Sequence, residues 1–167
     1  SRKQKTAIRV KGESGKPTTN SAIYGYKKDP NDKHHWLIDE EAAAVVRRIF
    51  RLTIEGKGPY DIARILFEDK VEAPAVYFAR KGIGVWKSKT EFAYPYNWSG
   101  YIVGQILSKP EYMGHTVNFR SHKLSYKDKT SVPNPKEDWL IFENTHEAII
   151  EPETWELAQQ LRKTPRR

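Results

Sequence analysis

The residues best suited to chemistry lie in the stretch WSGYIVGQILS at positions 98 to 108, where Ser99, Tyr101, Gln105 and Ser108 supply hydroxyl and amide groups without a single carboxylate. Uncharged donors and acceptors at helical spacing suit hydrogen bonding to base edges in a DNA groove. Gln105 could make a bidentate contact to adenine, Ser99 and Ser108 could meet phosphate or base edges, and Tyr101 could reach sugar, phosphate or a thymine methyl. Gly100 and Gly104 interrupt the pattern, each at roughly 0.5–1 kcal/mol relative to alanine in a helix interior. A helix that brings its backbone close to bases would favour them, and so would a helix packed tightly on a neighbour. Spacing alone leaves both readings open.

Enzymatic constellations find less support. The five histidines, at 34, 35, 115, 122 and 146, lack the i, i+4 pairing of a metal-binding helix, so neither a metal nor a cofactor is expected. His146, in a turn before a proline-started helix, reads as a capping or packing residue. A metal-dependent nuclease would need a histidine and carboxylate cluster that the spacing does not show. There is no GxSxG, no phosphate-binding glycine loop and no GxGxxG; the GKGP at 56 to 59 reads as an interhelical turn. With no cysteine at all, disulfides, thiolate zinc sites and cysteine nucleophiles are excluded, and a reducing, cytoplasmic setting is expected.

Charge points to a polyanion. The chain of 167 residues has a net charge of +8, and the excess is segregated. Residues 1 to 36 carry nine basic side chains, among them Arg2, Lys3, Lys5, Arg9 and Lys11, against three acidic ones. A second basic block, 113 to 136, holds Arg120, Lys123, Lys127 and Lys129, whereas residues 137 to 160 hold seven carboxylates and neither Lys nor Arg. Such asymmetry gives one face suited to phosphates and a salt-sensitive affinity for them.

These groups need elements to position them. Residues 1 to 11 suggest the basic end of a helix, and the GESGKPTTNSA that follows reads as a linker, so the folded body is expected from about residue 23. From Asp39, a candidate N-cap, DEEAAAVVRRIFRLTIEG predicts a helix with Val45, Val46, Ile49 and Phe50 on its inner face, closed by Gly56. Pro59 opens a second helix with Ile62, Ala63, Ile65 and Leu66 inward. Residues 73 to 97 show no clean period and read as a long loop with one short strand, bearing Arg80, Lys81, Lys87 and Lys89 as phosphate candidates. Ser99 caps the third helix, which Pro110 stops, with Lys109 at its end. HTVNFRSHKLSYK and WLIFEN suggest a small antiparallel sheet between residues 114 and 143, and EPETWELAQQLRK a final helix. No run approaches the roughly 20 apolar residues of a membrane span.

Four stretches, IYGYKKDPNDKHHWLIDEEAAAVVRRIF, GKGPYDIARILF, WSGYIVGQILSKPEYMGH and ENTHEAIIEPETWELAQQ, resemble in that order the recombinase domain of the large serine recombinases, the phage integrases and the transposases of mobilisable elements. The resemblance spans roughly residues 23 to 162. It implies an α+β, mainly helical, winged-helix-like domain (helix-turn-helix core, small antiparallel sheet) that grips double-stranded DNA at an attachment half-site. Residues 98 to 108 match the recognition-helix region, and residues 1 to 22 the helix end and linker from a preceding catalytic domain. The catalytic serine belongs to that domain, so no serine here inherits its role, and a cysteine-bearing zinc ribbon would follow. Partner subunits would be engaged through those other domains. Relatives often carry Arg or Lys where this helix has Gly104 and Gln105. A stand-alone winged-helix regulator and a protein interaction module built on the glycine face are the competing readings.

Overall fold

In the computed structural model, residues 13–14, 16–17, 21–89, 91–123, 127 and 130–164 are described. From residue 26 the chain forms a hairpin, β1 (Tyr26–Asp29) and β2 (Asp32–Ile38), paired antiparallel with Tyr26 opposite Ile38. Asp29 Oδ1 accepts the Asn31 amide at 2.9 Å, which closes the turn. Sequence periodicity did not predict this hairpin, because YKKD and DKHH put charge where alternation would put apolar groups; its hold on the body comes chiefly from the buried Tyr26 and Trp36, with Ile38 packed beside them against the core.

Helix α1 (Glu40–Ile54) follows, with Glu40 and Glu41 in the first turn opposing the helix dipole and Ala42, Ala43, Val46, Ile49 and Phe50 buried. Asp39 does occupy the N-cap position, yet its carboxylate caps nothing; it accepts the Tyr77 hydroxyl at 2.5 Å instead. Pro59 starts α2 (Pro59–Glu68), which buries Ile62, Ala63 and Leu66. Residues 73 to 97 are more ordered than their sequence suggests: α3 (Pro74–Arg80) and a 3-10 turn (Gly84–Ser88) replace the expected loop and strand. Pro74 pre-sets the first turn, and Tyr77 anchors α3 against Tyr24 with ring centroids 5.6 Å apart.

Then come α4 (Gly100–Leu107), a 3-10 turn (Pro110–Met113), and the strands β3 (Thr116–Asn118), β4 (Ser121–Lys123), β5 (Ser131–Pro133) and β6 (Leu140–Phe142), before α5 (Pro152–Lys163). The single small sheet expected for 114 to 143 is instead two two-stranded ladders, β3 with β6 and β4 with β5. They belong to one long hairpin whose far strand carries the extra turn Lys136–Asp138. Phe119, in the left-handed region at φ 62°, bends the near strand at the same level.

The core is built on α1, which packs against α2, α4 and α5. Phe50, Ile49, Val46, Ile62, Leu66, Val103 and Leu107 are at most 1% exposed, and each such side chain contributes roughly 1.5–3 kcal/mol by leaving water. Two tyrosines tie the β elements to this core through buried hydroxyls. Tyr112 donates to the Tyr24 carbonyl at 2.6 Å, and Tyr26 to the Glu147 carbonyl at 2.7 Å. Gly25 lies where they meet, with φ 106°, and a β-carbon on it would come within 3.0 Å of Ile149 Cδ1 and 3.2 Å of Val46 Cγ2. Docking also begins earlier than residue 23: the Lys16 carbonyl accepts the Asn118 side-chain amide at 2.9 Å, and Pro17 is buried.

Candidate functional site

Helix α4 is fixed on three sides, leaving the fourth to solvent. At its start, Ser99 Oγ accepts the Ile102 amide at 3.1 Å, the expected cap, and Trp98 anchors the preceding residue by donating its indole N–H to the Val71 carbonyl at 2.9 Å. Val103, Ile106 and Leu107 form the buried side. The carbonyls at its end, which have no partner within the helix, receive donors from α5 and its first turn. Gln159 Nε2 donates to the Leu107 carbonyl at 2.6 Å, and the Trp155 indole to the Lys109 carbonyl at 3.0 Å.

The two glycines have different reasons. A β-carbon at Gly100 would meet Tyr60 Cδ1 at 2.8 Å and Cε1 at 2.9 Å, so α2 and α4 approach only because position 100 has no side chain. Gly100 is buried in this contact, which removes it from the groups that could face a ligand. Gly104 is half-buried, and a β-carbon there would lie 3.6 Å from Arg162 Nη2, an ordinary contact distance. The opening at Gly104 therefore holds the end of a side chain from α5.

What remains exposed is a stripe of Tyr101, Gln105 and Ser108 at positions i, i+4 and i+7, with Tyr101 75% exposed. Ser108 Oγ donates to the Gln105 carbonyl at 2.9 Å and keeps its lone pairs free to accept. Tyr60, 82% exposed, extends the stripe beyond the start of α4. The exposed Ser99 has its oxygen engaged in the cap.

The cations divide sharply. Arg80 lies 2.7 Å from Glu41 and 2.8 Å from Glu72, Lys81 lies 3.1 Å from Glu41, and both sit over the Tyr77 ring. Their charge is matched by carboxylates, so they weigh against the sequence expectation of phosphate contacts. Arg120 is likewise committed: it donates to Glu111 Oε1 at 2.5 Å and stacks 5.1 Å over Trp139, while Glu111 is buried. Lys109 is half-buried, and burial lowers its ammonium pKa from the ordinary value against the opposing pull of Glu111. Lys87, Lys89, Lys123 and Lys127 are exposed, Lys89 over the Phe92 ring at 4.6 Å. Arg2, Lys3, Lys5, Arg9, Lys11 and Lys129 lie outside the described residues.

His146 has the structural role expected of it. Its Nε2 lies 2.7 Å from the Glu111 carbonyl, which can only accept, so Nε2 carries the proton and Nδ1 accepts from Thr145 Oγ1 at 3.1 Å. Its ring packs against Tyr26 and Trp36, and burial lowers its pKa from 6.5. Among the described residues there is no cluster of three or more His, Asp or Glu able to hold a metal ion, and no helix long and apolar enough to cross a membrane.

Two neighbours of the stripe escaped sequence reading. Tyr60 lies off the apolar period of α2, and Arg162 is more than fifty residues from α4; the glycine opposite each, Gly100 and Gly104, was the signal.

The family model described as Recombinase matches residues 40–165. A crystal structure of an LSR–DNA complex covers 95% of this chain at 18% identity with a TM-score of 0.52, and this chain spans 38% of that one. A structure concerned with the sequence requirements of the Listeria innocua prophage attP site covers 96% at 20% identity with a TM-score of 0.43, this chain spanning 51% of it. No curated protein matches.

Proposed function

Because the chain belongs to the Recombinase family, whose model spans residues 40–165, we propose that it binds double-stranded DNA by presenting the exposed side of α4 to the major groove. The observation that carries this reading is the uncharged stripe Tyr101, Gln105 and Ser108 on a helix whose other side is fully buried. Such a helix can approach base edges without repelling phosphate. The fold it shares with the LSR–DNA complex supports the same assignment.

In this reading Gln105 contacts a base pair, Tyr101 and Ser108 flank it, and the exposed Lys123 and Lys127 on the β4–β5 hairpin meet phosphates on one side. Lys87 and Lys89 are further phosphate candidates. The basic side chains Arg2, Lys3, Lys5, Arg9 and Lys11 would follow the DNA along the approach to the domain. The target is an attachment half-site of a mobile element, and the whole protein a serine site-specific recombinase of the cytoplasm whose other domains cut, join and pair subunits. This part neither cleaves nor joins DNA, so Mg²⁺-dependent nicking of plasmid by it would contradict the assignment.

Selection from a random duplex library, followed by binding of the selected and a scrambled duplex over a salt series, tests it. A recovered motif with a steep salt slope is expected. Weak, uniform binding with no motif, or partner binding that survives high salt, would instead mark the stripe as a protein interface.

A further inference from the structure

The exposed side of α4 carries no cation of its own, and α5 supplies one. Arg162 Nη1 donates to Gln159 Oε1 at 3.0 Å, while Gln159 Nε2 holds the Leu107 carbonyl at 2.6 Å. One glutamine thus grips the end of α4 and orients a guanidinium beside Gly104, whose missing β-carbon would be 3.6 Å from Nη2. Arg47, Arg48, Arg64, Arg80 and Arg120 each pair with a carboxylate. Among the described residues Arg162 pairs with the neutral Gln159, and no carboxylate there offsets its charge.

A guanidinium held in one orientation, with Nη2 and Nε still able to donate, has the planar fork that guanine O6 and N7 accept. A flexible lysine at the rim would serve a phosphate as well; a fork oriented by Gln159 beside the polar stripe suits a base. We infer that Arg162 is a specificity-determining residue that reads a guanine adjacent to the base pair contacted by Gln105, the cation being delivered by α5 through the space left at Gly104. This rests on the DNA-binding reading above and extends it.

The test uses the 167-residue chain and the duplex it selects. Arg162→Met keeps the side-chain stem and removes the fork; Arg162→Lys keeps the charge and removes the planar geometry. Both are expected to lose roughly 10- to 100-fold in preference at one base pair. The lysine variant should keep its affinity for scrambled duplex, and both should keep the wild-type thermal midpoint. Gly104→Leu, which displaces the guanidinium without altering it, should lose preference at the same pair, whereas Gly104→Ala, whose β-carbon fits, should not. Unchanged preference in Arg162→Met overturns the inference. So does a uniform weakening on all duplexes with a salt slope shallower by about one unit, the signature of a phosphate contact. If the wild-type chain selects no motif, the DNA-binding reading itself fails, and that result appears before any variant is made.

Discussion

Helices α3 and α4 are nearly equal in length, yet α3 turns its aromatic residues Tyr77 and Phe78 inward while α4 leaves Tyr101 exposed, and their charges are arranged in opposite ways. Arg80 and, just past the helix, Lys81 are held by Glu41 and Glu72, so the cations of α3 bind it to α1 and to the turn before it. Helix α4 has no charged residue, and the guanidinium next to it is borrowed from α5 and meets no carboxylate among the described residues. Counting lysines and arginines along a sequence therefore overstates the anion-binding surface. The cations that matter are those left after each carboxylate within reach has taken its partner.

The largest expected effect probes what holds α4 in place. Leu107→Ala empties a side chain with 0% exposure and should lower stability by about 2–5 kcal/mol. Arg80→Ala, whose ion pairs are close to half exposed, should cost no more than about 0.2–1 kcal/mol. Chemical denaturation of both variants gives the contrast directly, and similar losses for the two would break it.

On DNA the ranking should depend on the helix. Gln105→Ala is expected to lose about 1–3 kcal/mol of discrimination at one base pair, whereas Arg80→Ala should leave both discrimination and salt slope at the wild-type values. Binding to duplexes mutated one pair at a time measures this. If Arg80→Ala relaxes specificity and Gln105→Ala does not, the groove lies over α3.

What the sequence shows and what it hides follows from the range of the interactions. The helices beginning at Glu40, Pro59, Gly100 and Pro152 were legible because caps, prolines and the 3.6-residue period are local signals. The first hairpin was not, since its fully buried side chains are two aromatic residues on strands otherwise studded with Lys, Asp and His. The order in 73 to 97 also came from afar, through Tyr77 against Tyr24 and Arg80 against Glu41. At the site, Ser99 as cap and the stripe of Tyr101, Gln105 and Ser108 could be read directly. The fates of Arg120, Lys109 and Arg162 could not, because each depends on an environment that folding builds: the buried Glu111 for Arg120, burial itself for Lys109, and the approach of α5 to Gly104 for Arg162.

A smaller effect separates rim from groove. Lys123 is exposed on β4, and Lys123→Ala should weaken every duplex alike and flatten the salt slope by about one unit. A change confined to one base pair would move the β4–β5 hairpin from the backbone into the groove.

The smallest expected effect comes from His146, whose contacts are with Glu111, Thr145, Tyr26 and Trp36 and not with either helix. Burial holds its pKa below the ordinary 6.5, so the folded chain binds fewer protons near neutral pH than the unfolded chain does. Stability from this residue is therefore fully present above pH 6.5 and declines as the pH falls through 6.5 towards the folded value. The carboxylates of Asp29 and Glu41, whose pKa values are lowered from 3.8 and 4.5, act only at more acidic pH. Thermal midpoints between pH 8 and pH 5.5 should accordingly fall on acidification. His146→Gln, which can still donate to the Glu111 carbonyl, should flatten that decline while leaving the DNA preference intact, since His146 acts through the Tyr26 and Trp36 packing that seats the hairpin. A decline unchanged in His146→Gln would trace the acid sensitivity to another group, and a lost DNA preference would mean that this buried ring helps to shape the surface that α4 presents.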